Sequence, residues 1–178
     1  MAFGVSAWFD STSENHVREI WRCLHEKEID STLHVGPYRP HITFGIYDSL
    51  DVDQFVSSMR KGLHGFNPLP FILPSVGIFN EPLAGFFNVT VTQQLLKIHE
   101  LVHNIMSSHG ADPVSYYLPK RWNPHCTLAT KLTPETLLEF ARYTTTLSLP
   151  ITGTINRVGI IDTPAEIELA EIPFTTAG

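Results

Sequence analysis

Apolar and polar positions change period several times along the chain, and each change marks an element. Residues 3–9 (FGVSAWF) form an apolar run of strand length, followed by Asp10. From Ser13 to about Ile29 the residues Val17, Ile20, Trp21 and Leu24 recur at helical spacing, which predicts a helix with a Ser or Thr cap. A strand over 41–47 (HITFGIY) and a helix over 51–63, through Val52, Phe55, Val56, Met59 and Leu63, come next. Residues 69–79 read as one or two strand segments, with Pro74 marking an edge or a bulge. The order then starts over: strand 85–91, helix 93–108, strand 125–130, and helix 134–146 opened by Thr133-Pro134. A closing pair of strands, 151–162 and 166–174, surrounds a turn at Thr163-Pro164.

Each half thus reads strand, helix, strand, helix, strand, with the junction at 80–85, an order that suggests internal duplication. The expected fold class is α+β: two pseudo-symmetric lobes, each an antiparallel-type sheet with outer helices, flanking a central cleft. Residues 1–178 are expected to form one bilobal domain, lobe one about 1–82 plus the closing strands and lobe two about 83–178.

Composition narrows the classes. An apolar fraction of 43% with 17% charged residues excludes a disordered or fibrous chain. The net charge of −6, with only 12 Lys and Arg, argues against a grip on long nucleic acid, which needs dense cations along the phosphates. Arg39, Lys120 and Arg121 are nevertheless close in sequence to two histidines, where one small anion would bind. The start MAFGVSAWFD has no basic segment ahead of its apolar run, and no apolar run reaches the roughly twenty residues of a membrane span, so the expectation is a cytoplasmic protein with no membrane partner. Cys23 and Cys126 are expected reduced and structural.

The candidate chemistry lies in PHITF (40–44) and PHCTL (124–128), both Pro-His-x-Thr followed by a large apolar residue. A shuffled chain of this composition yields Pro-His-x-Thr about 0.06 times, so two copies on the second strands of matching halves are more than an echo. Alternation puts His41, Thr43, Gly45 and Tyr47 on one face of the first strand, and His125, Thr127 and Ala129 on one face of the second. Two such rows facing each other would flank one site with two imidazoles. One imidazole acts as general base and the other as general acid about a phosphorus, while the Thr43 and Thr127 hydroxyls hold its non-bridging oxygens. Neither a metal nor a cofactor is required by this chemistry.

PHITF and PHCTL, so placed, resemble the motifs of the two-histidine (2H) phosphoesterases, the superfamily that includes 2'-5' RNA ligase-like proteins and cyclic nucleotide phosphodiesterases. The resemblance extends over nearly the whole chain. It implies catalytic roles for His41, Thr43, His125 and Thr127, and a cyclic phosphodiesterase opening a 2',3'-cyclic phosphate, or an ADP-ribose cyclic phosphate, to a 2'-phosphate. A 2'-5' RNA ligase or phosphodiesterase, and a nucleotide- or RNA-binding module without turnover, are the alternatives. The expected partner is a small nucleotide or a short RNA end, and the expected state a monomer. No appended domain or basic surface of a long-RNA enzyme is expected.

A rival motif, HELVH, places His99, Glu100 and His103 at zinc-hydrolase spacing, with His109 beyond. Met106 stands where a glycine would turn the chain out of the helix, and the stripe Leu95, Ile98, Leu101, Val102, Ile105 and Met106 claims one face for the core, leaving His99 and His103 to the solvent side. For substrate binding the candidates are Tyr38 and Arg39 ahead of the first motif, Tyr47 on its face, and Arg121 and Trp122 ahead of the second, as a phosphate clamp and a base-stacking ring. One of Phe86 and Phe87 should also reach the cleft, since neighbours on a strand point to opposite sides.

Overall fold

The computed structural model describes residues 2–111, 113–163 and 165–174. Strand β1 (Phe3–Phe9) leads into α1 (Ser11–Glu26), and a short helical turn, α2 (Thr32–Val35), precedes β2 (His41–Tyr47). Helix α3 (Val52–Gly62), strands β3 (Leu69–Leu73), β4 (Val76–Asn80) and β5 (Leu83–Asn88), and helix α4 (Gln93–Ser108) follow. A 3-10 turn at Ser115–Tyr117, β6 (His125–Ala129), α5 (Pro134–Thr144), β7 (Ile151–Asp162) and β8 (Ile167–Pro173) complete the chain.

The strands form two antiparallel sheets flanked by helices. In the first, β1 lies between β2 and the long β7, and the far edge of β7 is shared end to end by β3 along residues 151–155 and β8 along 157–162. The second sheet is β4-β5-β6. The segment around Pro74 is therefore two strands in different sheets, and the chain passes from the first sheet to the second at Pro74-Ser75. The expected junction at 80–85 is instead the turn between β4 and β5. Pro164, half of the expected closing turn, lies outside the described residues.

Helix starts follow side-chain caps. The Asp10 carboxylate accepts from the backbone of Thr12 and Ser13, so α1 starts at Ser11 behind an acidic cap in place of the Ser or Thr expected. The second Asp10 oxygen accepts from Thr154 N–H on β7 and ties the helix start to the sheet. Thr133 and Thr136 form a capping box around Pro134 and start α5 where the sequence indicates. The α1 stripe Val17, Ile20, Trp21 and Leu24 is buried against β6 of one sheet and β7 of the other, so this helix joins the halves. A continuous core includes Phe9, Phe44, Phe55, Phe87 and Phe140, each worth roughly 1.5–3 kcal/mol on burial. Both cysteines are free. No described helix is long and apolar enough to cross a membrane.

Candidate active site

The two motifs adopt one local structure. A residue before proline is held extended, and in each copy that residue's own carbonyl lies against the histidine ring: His41 Nδ1 donates to Arg39 O at 2.6 Å, and His125 Nδ1 donates to Asn123 O at 2.8 Å. A carbonyl can only accept, so each neutral ring carries its proton on Nδ1 and keeps a lone pair on Nε2. The apolar fifth residue also has a function. Val5 pairs with Gly45 but Ser6 with Thr43, which leaves Phe44 as an extra residue; Gly85 pairs with Ala129 but Phe86 with Thr127, which leaves Leu128 extra. Both motifs therefore end in a β-bulge directly after the threonine.

Two tryptophans tie the halves together across the site. Trp21, on α1 of the first half, donates its indole N–H to Thr127 O at 3.0 Å. Trp122, ahead of β6 in the second half, donates to Thr43 O at 2.9 Å. Each motif threonine is thus held through its carbonyl by a ring from the other half. Cys126 is fully buried, and burial pushes its thiol pKa up to about 12.

His41, Thr43 and Thr127 line one cavity together with Ser6, Tyr38 and Arg39. His125 borders an adjoining depression with Phe79, Tyr116, Arg121 and Trp122, and Tyr117 lines both. Tyr117 and Thr43 line the same cavity, and burial raises the pKa of the Tyr117 hydroxyl. Burial lowers the pKa of His41 below the ordinary value, the Arg39 carbonyl opposes the shift, and His125 is near enough for its charge to lower it further. Burial likewise lowers that of His125. The rings of Phe79 and Phe86 stand edge-on to His125, with centroids 5.0 and 5.4 Å away. Phe86 is thus the ring that reaches the site, while Phe87 is fully buried in the core.

Tyr47 is a correction. The bulge at Phe44 inverts the alternation, so Ile46 continues the cavity face of His41 and Thr43, while Tyr47 turns into the core with no exposure. Gly45 allows this, since a Cβ there would meet the Tyr47 ring at 2.7 Å. The expected solvent position of His99 and His103 is also overturned: they are 2% and 6% exposed, behind β2. His99 Nε2 lies 2.8 Å from Tyr117 O, His103 Nε2 lies 3.1 Å from Phe44 O, and the Tyr47 hydroxyl is hydrogen-bonded to His103 Nδ1 at 3.1 Å. The two Nε2 atoms also lie 3.0 Å apart, so the rings, Tyr47 and the two carbonyls form one buried hydrogen-bonded chain. Burial, then the neighbouring His103, lowers the pKa of His99 to about 4. Among the described residues, no group of three or more His, Cys, Asp or Glu is placed to hold a metal ion.

The remaining candidates divide. Arg39 borders the cavity, but its guanidinium pairs with Glu14 at 2.9 Å, lies near Glu168 and Glu171, and sits over the Trp8 ring, so its charge is offset inside the fold. Tyr38 lines the cavity. Arg121 is exposed beside His125. Trp122 borders the same depression, yet one face stacks on His99 at 3.9 Å and its N–H holds Thr43. Ser6, Trp21, Phe79 and Tyr117 had no signal in the sequence, since none belongs to a motif and only the sheet registers and the 3-10 turn bring them to the motifs.

A profile of the 2'-5' RNA ligase superfamily matches residues 47–165, well over half of the chain and including the second motif. The chain belongs to the 2'-5' RNA ligase superfamily. Solved structures agree in fold along almost the whole length. E. coli LigT in its apo form superposes with a TM-score of 0.62 at 11% identity, covering 98% of this chain and 97% of LigT. TT0787 of Thermus thermophilus gives 0.60 at 12% identity, covering 98% of each chain, and the MHV ns2 PDE domain gives 0.55 at 12% identity, covering 90% of this chain and 99% of that domain. No curated protein sequence matches the chain. Within the 2'-5' RNA ligase superfamily, the first motif of this member lies outside the matched segment and is recognised by its geometric identity with the second.

Proposed function

We propose that this protein is a phosphodiesterase that opens a 2',3'-cyclic phosphate, on a nucleotide, a short RNA end or as the related ADP-ribose cyclic phosphate, to leave a 2'-phosphate without the aid of a metal ion. The observation that carries the reading is the matched pair of imidazoles, each anchored through Nδ1 to the carbonyl two residues upstream and each with Nε2 unused. One Nε2 takes a proton from water as its oxygen bonds to phosphorus. The other, protonated, gives its proton to the 3' oxygen as the P–O3' bond breaks. The Thr43 and Thr127 hydroxyls donate to the two non-bridging oxygens, where charge gathers. Superfamily membership supports phosphoester chemistry, and crystals of LigT with 3'-AMP and with NADP+ support a nucleotide-sized ligand.

The test is incubation with a panel of cyclic phosphates, the ADP-ribose one included, with and without chelator, with the products read by phosphorus NMR. The expected result is a 2'-phosphate formed at the same rate in chelator. A 3'-phosphate would mean that the ligand lies reversed between the histidines. Binding without turnover, unaffected by His41→Ala, would replace the enzyme by a nucleotide-binding module.

A further inference from the structure

On β1 the residues Val5, Ala7 and Phe9 are fully buried in the core, while Gly4 and Ser6 line the cavity that holds His41, Thr43 and Thr127. Ser6 lies in the ladder between Thr43 of β2 and Gly159 of β7. Its side chain is on the floor of the cavity, beside Thr43. The residue is only 1% exposed, and among the described residues its Oγ has no hydrogen-bond partner. A buried hydroxyl without a partner is destabilising, and one that borders a cavity beside the motif threonine calls for a functional reason. Across the other ladder, the position facing Thr127 is taken by Phe86. The pseudo-symmetry therefore breaks at this point: a hydroxyl faces the first motif threonine and a ring faces the second.

We propose that Ser6 Oγ is a third hydroxyl donor to the phosphate, holding the non-bridging oxygen on the Thr43 side together with Thr43 while Thr127 holds the other. This rests on the phosphodiesterase reading above. Residues directly opposite on an antiparallel ladder have Cβ atoms about 5 Å apart, so two hydroxyls on one face can meet at one oxygen. Tyr117 lines the same cavity as Thr43. The phosphate is then gripped mainly from the β1-β2 side. The nucleoside extends toward the side of Phe79, Phe86 and Tyr116.

The experiment compares wild type with Ser6→Ala and Ser6→Cys in three measurements: affinity for adenosine 2'-monophosphate by calorimetry, turnover of adenosine 2',3'-cyclic monophosphate, and the thermal midpoint without ligand. A hydrogen bond to a charged oxygen is lost in both variants, so affinity and kcat/KM should each fall about tenfold or more. The ligand-free Ser6→Ala protein should be at least as heat-stable as wild type, because an unpartnered buried hydroxyl is removed. Wild-type affinity and turnover in both variants would overturn the assignment of Ser6 while leaving the phosphodiesterase reading in place. A ligand-free midpoint several degrees lower in Ser6→Ala would also overturn it, by showing that the hydroxyl is bonded within the fold. A folded wild type that neither binds nor hydrolyses these nucleotides would remove both readings together.

Discussion

On β2 the cavity face of the motif continues sideways into Ser6 and Gly4 of β1, small residues that leave depth beside Thr43, whereas across the ladder from Thr127 stands Phe86, with Phe79 as a second ring on His125. Behind β2 lies the neutral chain of Tyr47, His103 and His99, and beside it Arg39 is neutralised by carboxylates. Ahead of β6, Arg121 is exposed and Trp122 is wedged between His99 and the depression it borders. The backbone device is nevertheless the same in both: proline, an Nδ1-anchored imidazole, a threonine and a bulge. A short strand segment with its own carbonyl anchor builds one local geometry in two surroundings, and the surroundings are free to differ in what else they hold.

The strongest way to break that comparison is to remove each ring in turn. His41→Ala and His125→Ala should each lower kcat/KM on a cyclic phosphate more than about a hundredfold, since in the proposed reaction each supplies one proton transfer. A loss of only a few fold in one of them, measured on protein with an unchanged thermal midpoint, would make that histidine a phosphate ligand and the device unequal. The pH profile sharpens the same point. Both pKa values are lowered by burial, so kcat/KM, which reports the free protein, should trace a bell whose alkaline limb begins at or below about pH 6.5. A profile that rises steadily through pH 8 would leave only a base.

Among the described residues, the buried histidine pair behind β2 has no counterpart behind β6, and acid should expose the difference. His99 has a folded value of about 4 against an ordinary 6.5, so the unfolded chain binds the extra proton and stability is lost as pH falls from 6.5 toward 4. The loss from His99 is roughly 3 kcal/mol by pH 4, read from urea midpoints across that range, and it should disappear in His99→Phe. A wild-type pH dependence retained in that variant would assign the acid lability elsewhere.

The crossed indoles provide a finer comparison. Trp21→Phe and Trp122→Phe each keep a ring and remove one N–H from a threonine carbonyl, so each should cost about 1–3 kcal/mol in chemical denaturation. Unequal losses would show that one half depends on the other more than the reverse. The smallest expected effect is that of Arg121→Gln. An exposed guanidinium beside His125 should change KM by a few fold with kcat unchanged, and the difference should fade between 50 and 300 mM salt, about the range over which screening of exposed charges becomes strong. A change in kcat would bring Arg121 into contact with the reacting oxygens.

Periodicity and spacing were enough for the order of strands and helices, the two sheets flanked by helices, and the two Pro-His-x-Thr segments, because these depend on near neighbours: a proline restricts the residue before it, a helical stripe has a fixed period, and a cap lies next to its helix. The ladder register could not be read in this way. Nothing in HITFGIY says that Phe44 bulges, because a bulge is defined by two residues facing one on another strand, and that single extra residue moved Tyr47 into the core and Ile46 to the cavity. The burial of His99 and His103 was hidden for a related reason: a helix face that looks polar is buried wherever carbonyls of other elements, here Phe44 and Tyr117, are present to receive its protons. Ser6, Trp21 and Tyr117 met the motifs only in three dimensions, Trp21 bonding to Thr127 across 106 residues of chain. Local sequence determined the two Pro-His-x-Thr segments and their shared backbone form, and tertiary pairing decided which neighbours surround them.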